Sequence, residues 1–275
     1  SPVAARQARA AVVTGDRLLV VSQGTGELYE LSARSFDPAL GASRAFAVGA
    51  GPSGVDADGD LAVVWSQFDH VLSLVDLRLG ATVRLSVASD PLAPEVAAGR
   101  RLFHAEDDRR LSRDGRACAG CHPEGRDDGI VWHLGMGPRQ TPTLVGRLER
   151  GPFGWNGHHA KLSGNMRETI GRLGGRGLSE KDLDALAAYL TRGLAAPRRP
   201  ADQSERVVLR GKELFHSEAV GCASCHVPGG DWSDHARHDV ASKTPKDQDA
   251  ALRTPPLLFV TDTAPYFHDG RYATL

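Results

Sequence analysis

All four cysteines of this 275-residue chain fall in two short runs, Cys118-Ala119-Gly120-Cys121-His122 and Cys222-Ala223-Ser224-Cys225-His226. Each run has the c-type haem attachment spacing. Two thiols three positions apart lie on adjacent turns of a short helix and can form thioethers with the two vinyl groups of one haem. The residue that follows, His122 or His226, then points under the porphyrin and ligates the iron from the proximal side. A zinc site, a redox dithiol or a disulfide framework would also use cysteines. Two complete copies, each with its His and together using every Cys, argue for two covalent haem c groups instead. Haem c is attached outside the bacterial cytoplasm, so the periplasm or cell envelope is the expected location.

Composition removes other classes. With 33 basic and 34 acidic side chains the formal net charge is -1, which gives no electrostatic case for nucleic acid. No apolar run approaches the roughly 18 residues of a membrane span. The chain starts Ser1-Pro2 without an initiator Met or signal segment, and is expected to be a processed product or a fragment.

The second half repeats the first. Gly99-Arg100-Arg101-Leu102-Phe103-His104 returns as Gly211-Lys212-Glu213-Leu214-Phe215-His216, and the haem motifs follow at a shift of 104. Gln140-Thr141-Pro142-Thr143-Leu144 matches Arg253-Thr254-Pro255-Pro256-Leu257 at a shift of 113, and that register holds to Leu275. Each copy predicts a helix into its haem motif, over 94–104 and 204–216, with Ser204 as an N-cap. Ser179-Glu180-Lys181-Asp182 is a capping-box pattern, and Leu183, Leu186, Ala187, Leu190 and Leu194 then form one apolar helical face. Gly193 and Pro197 stop that helix, and Ala195–Gln203 reads as a linker.

The first 90 residues differ. Leu18–Gln23 is echoed by Ala62–Gln67, and Leu28–Leu31 by Leu72–Val75, at a shift of 44. Alternating strands with this period predict β-propeller-like blades, with a plain antiparallel sheet or sandwich as the alternative. The expected fold class is therefore mixed: two propeller-like blades of an incomplete propeller over 1–91, then two mostly α-helical cytochrome c-type domains over 92–196 and 197–275.

From about residue 92 onward the chain resembles the bacterial di-haem cytochrome c peroxidase family, including its amine-maturation members. The resemblance is carried by Leu111-Ser112-Arg113-Asp114-Gly115, by Gly137-Pro138-Arg139-Gln140-Thr141-Pro142 and by Ala264-Pro265-Tyr266-Phe267-His268-Asp269-Gly270, together with the haem motifs. It implies a first haem that reacts with hydrogen peroxide and a second that relays electrons from a small redox protein. It implies that Trp155 lies between the haems and that Asn165 stands at the position of a distal Gln. It also implies a calcium held by the Gln140 side chain and the carbonyls of Thr263 and Pro265, where Gln140 replaces the family's usual Asn. His133, Met136 and Met166 are candidate distal iron ligands. His158, His159, His235 and His238 are expected to be exposed or on the propionate side.

The family's distal Glu has no counterpart, since the chain runs Gly171-Arg172-Leu173-Gly174-Gly175 there. Glu168 is near but out of register and expected to be exposed. A peroxidase-like oxidoreductase is the favoured expectation. The alternatives are a non-catalytic electron-transfer module on a propeller platform, and oxidation of a residue on a partner protein. The register of the second repeat further predicts that a closing helix would follow Leu275, and the resemblance implies that the second haem's distal ligand would lie there too.

Overall fold

The computed structural model describes residues 7–37, 44–196, 204–261 and 263–275. Most of the expected linker, from Pro197 on, lies outside these residues.

The N-terminal repeat forms two four-stranded antiparallel meanders. In the first, β1 (Ala8–Thr14), β2 (Arg17–Ser22), β3 (Glu27–Ser32) and β4 (Arg44–Ala47) pair in chain order. In the second, β5 (Pro52–Asp58), β6 (Leu61–Ser66), β7 (Val71–Asp76) and β8 (Ala81–Ser86) do the same. The sequence repeat becomes a register repeat: Leu19 pairs with Glu30, and Val63 with Leu74, at the same place in each meander. Leu19, Val21, Leu28, Phe46 and Val48 share one core with Ala62, Val64, Val75 and Leu77. β2 is buried on both faces, with Val20 packing on Tyr29 and Leu31.

The expected fold class needs correction in both halves. Among the described residues no closed propeller is present. The apolar strand pattern occurs in two copies and stops at β8, after which Pro91 and Pro94 lead into a helical segment. The remaining chain is not a pair of mostly helical domains. Among the described residues the whole chain has five α-helices, and twelve strands in four mostly antiparallel sheets. After β8 come α1 (Pro94–His104), α2 (Cys118–Cys121), α3 (Leu162–Arg172), α4 (Glu180–Arg192) and α5 (Glu205–His216). Between them run turns and two short ribbons, β9 (Val131–Leu134) with β10 (Gly137–Gln140), and β11 (Arg237–His238) with β12 (Leu252–Arg253). The physical reason is punctuation. Left-handed glycines at 115, 125, 129, 137, 146, 154 and 157 break the first stretch before three helical turns can accumulate.

The helices that do form obey the expected signals. Ser179 Oγ accepts the Asp182 backbone N–H at 3.2 Å, which caps the start of α4, and donates to the Asp182 carboxylate at 2.9 Å. Ser204 stands at the N-cap of α5, but its side chain makes no capping hydrogen bond.

By compactness the chain divides into two units. One holds residues 1–120 and 170–189, with both meanders, α1 and most of α4. The other holds residues 121–169 and 190–275. In the second unit the duplication is visible in backbone conformation. The bridge Phe153–His159 recurs as Tyr266–Tyr272, and positive φ angles at Gly146, Gly154 and Gly157 recur at Phe259, Phe267 and Gly270.

Candidate functional site

The first attachment run forms α2, a single helical turn, followed by a 3-10 turn over Pro123–Gly125. A turn this short exists because Gly120 sits inside it, Pro123 follows it and Gly125 has φ +74°. The second run forms a 3-10 turn over Cys222–Ser224, opened by the left-handed Gly221. All four cysteines are half-buried, and none is in a disulfide.

The imidazoles carry the decisive geometry. His122 Nδ1 lies 3.1 Å from the Arg126 carbonyl oxygen, and His226 Nδ1 lies 3.1 Å from that of Trp232. A carbonyl only accepts, so Nδ1 carries the proton in each ring and Nε2 is left with its lone pair. A carbonyl bond of this kind is the arrangement that fixes the tautomer and orientation of a metal-ligating His. Burial also pushes the His122 pKa below the ordinary imidazole value, against the opposing pull of the Arg126 carbonyl and Asp128, which keeps the ring neutral. Two thiols and an imidazole oriented through Nδ1 in each run form a donor set that fits haem c.

Other expected residues fall into place unevenly. The Trp155 indole N–H donates to the Gln140 carbonyl at 2.9 Å, and the Gln140 N–H donates to the His268 carbonyl at 2.7 Å. The Gln140 side-chain amide lies 3.4 Å from the Thr263 carbonyl oxygen, so two of the three expected calcium donors meet. Turned over, the same amide presents its oxygen there, which is the kind of ligand calcium takes. Asn165 on α3 reaches the Gly154 backbone, with Nδ2 3.0 Å from where a Cβ on Gly154 would stand. The three candidate distal ligands sit on different elements. His133 is exposed on β9, Met136 is half-buried in the turn after it, and Met166 is buried on α3.

The clustered histidines are more ordered than expected. His158 is exposed, but His159 pairs with Glu168, His235 with Asp231 at 3.1 Å, and His238 with Asp234 at 2.7 Å. His235 is buried and Glu168 is exposed. The Cys225 sulfur, Asp234 and His238 also lie within 4.8 Å of one another, a group of metal-ligating types. Thioether formation at Cys225 would remove the thiolate that such an ion requires.

One cluster was not foreseen. Asp247 is fully buried between Arg139, with which it forms an ion pair, and His268, whose Nε2 is 3.0 Å away. The Thr244 N–H donates to the same carboxylate at 2.6 Å. Burial alone would raise the Asp247 pKa, but Arg139, Thr244 and His268 together hold it well below the usual carboxylate range. His268 meets the Trp155 ring edge-on, with centroids 6.4 Å apart. Arg139 and His268 both lie in the motifs quoted above, and that was the available signal. Asp247 lies in a loop without periodicity.

No family model matches the chain. In an alignment 152 positions long that takes in 46% of the chain, it is 32% identical to hydrazine synthase subunit gamma of Kuenenia stuttgartiensis. That match spans 42% of the curated relative. In structure the chain is similar to a MauG-like protein associated with microbial copper homeostasis. The TM-score is 0.50 at 25% identity, over 67% of this chain and 73% of that one. A likeness to the N-terminal domain of Nup159, at a TM-score of 0.22, is too slight to carry an argument. No helix among the described residues is long and apolar enough to cross a membrane.

Proposed function

We propose that the chain is a di-haem c-type cytochrome of the periplasm or cell envelope, with peroxidase-like oxidoreductase activity. The observation that carries this reading is the pair of Cys-x-x-Cys-His turns whose imidazoles are both locked, through Nδ1, with Nε2 left for iron. The MauG-like structural neighbour supports the same reading at family level. When bound, haem supplies an iron that exchanges single electrons and, where its sixth position is open, takes up peroxide.

The chain's own residues then have these roles. Cys118, Cys121, Cys222 and Cys225 would hold the two groups, and His122 and His226 would supply a ligand to each iron. Trp155, tied through its N–H to Gln140, lies on the path between the haems. Asn165 would stand beside the first haem at the position of the family's Gln, where its amide could hydrogen-bond a substrate. His133, Met136 and Met166 are the candidates for its sixth ligand, and Gln140, Thr263 and Pro265 for a calcium. A small redox protein supplies electrons, and hydrogen peroxide is the acceptor.

A second reading, a non-catalytic electron-transfer module, has one observation in its favour. The segment after α3, Gly174-Gly175, carries no carboxylate to move a proton at bound peroxide. One set of spectra separates the two. A high-spin first haem that consumes peroxide with electrons from the second supports the enzyme. Two low-spin haems unchanged by peroxide support the carrier.

A further inference from the structure

A guanidinium buried with an N–H unspent is a costly arrangement unless a ligand completes it. Four arginines among the described residues have a buried, unpaired side-chain nitrogen. In two of them, Arg100 and Arg139, the charge is met by the carboxylates of Asp90 and Asp247. The other two, Arg147 and Arg253, make no ion pair, and one stands beside each attachment run.

Arg147 is aimed by its own backbone. The Leu144 and Val145 N–H groups both donate to the Gly125 carbonyl, at 2.9 and 3.2 Å, and the Gly125 N–H donates to the carbonyl of His122 at 3.0 Å. The Arg147 turn is therefore fastened to the end of the first attachment run. Its Nε donates to the Leu258 carbonyl at 2.6 Å, which fixes the plane of the guanidinium, while Nη2 is buried without a partner. Burial pushes its pKa down to about 10, with Asp127 opposing.

Arg253 reaches the second run by a different route. Ser233 Oγ donates to the Thr254 carbonyl at 2.7 Å, next to Trp232, whose carbonyl holds His226. Arg253 Nη2 donates to the Arg150 carbonyl at 3.4 Å and to His235 Nδ1 at 2.8 Å, and His235 in turn holds Asp231. These bonds fix the guanidinium and leave Nε buried and unpaired. The two arginines are not equivalent in the duplication, since Arg253 matches Gln140 and Arg147 matches Val260.

Haem c carries two propionate carboxylates, and a fixed guanidinium N–H is the directional, always-charged donor that suits a carboxylate. We propose that Arg147 and Arg253 are the propionate seats of this protein, Arg147 through Nη2 for the first haem and Arg253 through Nε for the second. This rests on the two-haem reading above. A positive charge near iron favours the reduced state, so losing one seat lowers the potential of one haem and leaves the other where it was.

The test uses the holoprotein with Arg147→Gln and Arg253→Gln, and Arg→Lys at each site as the charge-keeping partner. Haem is counted by pyridine haemochrome, midpoint potentials are taken by spectroelectrochemistry, and propionate bending bands by resonance Raman. Arg147→Gln is expected to lower the potential and move the propionate band of the first haem alone, and Arg253→Gln those of the second alone. The Lys variants should keep the potentials but still move the bands. Two retained haems with unmoved potentials and bands would overturn the proposal and leave the cytochrome reading standing. If a Gln variant loses its haem, the Lys variant decides: a moved band supports the seat, an unmoved one overturns it. An unmodified protein without haem would sink the cytochrome reading itself.

Discussion

Gly99 of α1 lies so close beneath Ala185 of α4 that a Cβ on it would stand 1.9 Å from the Ala185 carbonyl oxygen. The same atom would meet the Tyr189 Cβ at 2.7 Å. Phe103, fully buried one turn on, packs against the Tyr189 ring at 5.4 Å. Gly99 thus sets how near the two helices come, because the nearest obstacle is backbone and cannot swing aside.

Gly99→Ala is therefore expected to destabilise the protein by about 2–3 kcal/mol through overpacking. Its repeat partner behaves oppositely. Gly211 in α5 has nothing within 4 Å of a Cβ, so Gly211→Ala should stabilise by about 0.5–1 kcal/mol through helix propensity alone. Urea denaturation of the two variants checks both signs.

The attachment runs predict haem stoichiometry. Replacing Cys118 and Cys121 together by Ala should reduce the pyridine haemochrome count from two to one. Replacing Cys222 and Cys225 should do the same, and all four together should leave none. A count of one in the unmodified protein contradicts the reading.

Asp247 predicts acid behaviour. Its folded pKa is depressed, so the stability it contributes is complete above the ordinary carboxylate value of about 4 and is lost as pH falls toward the folded value. Asp247→Asn should cost about 3–5 kcal/mol at pH 7, because Arg139 is left buried without its counter-charge. It should also flatten the fall in stability below pH 4, though Asp69, Asp108, Asp114, Asp234 and Asp269, all with lowered pKa values, keep part of that slope. Urea midpoints measured from pH 2.5 to 7 would show both effects.

Trp155→Phe removes one N–H donor and leaves the Gln140 carbonyl without its partner. The expected stability cost is about 1 kcal/mol. If Trp155 lies on the electron path, inter-haem transfer followed by stopped flow should slow while both optical spectra stay unchanged. An unaltered rate would reduce Trp155 to a packing role.

How much of this was legible depends on the range of the interaction. α1 and α4 end where capping and periodicity place them, because Pro94, Ser179 and Gly193 act within one helical turn. The meanders follow from alternation that the chain repeats at a shift of 44. The fold class did not follow. Short helical signals around the haem motifs suggested helical domains, whereas the glycines between them divide the chain into turns and ribbons. Arg139 and Asp247 are 108 positions apart and join through a loop with no pattern, so no local signal paired them. The Nδ1 bonds of His122 and His226 were likewise invisible, since Arg126 and Trp232 contribute only backbone oxygens.

The first compact unit leaves the chain at Gly120 and resumes at Ile170. That arrangement orders events during synthesis. Gly99 waits for Ala185 to cover it, so the unit cannot close until the chain has been made at least to Tyr189. Cys118 and Cys121 emerge well before then. A chain that stops short of α4 therefore leaves α1 uncovered, and the first unit cannot be recovered from an N-terminal fragment alone.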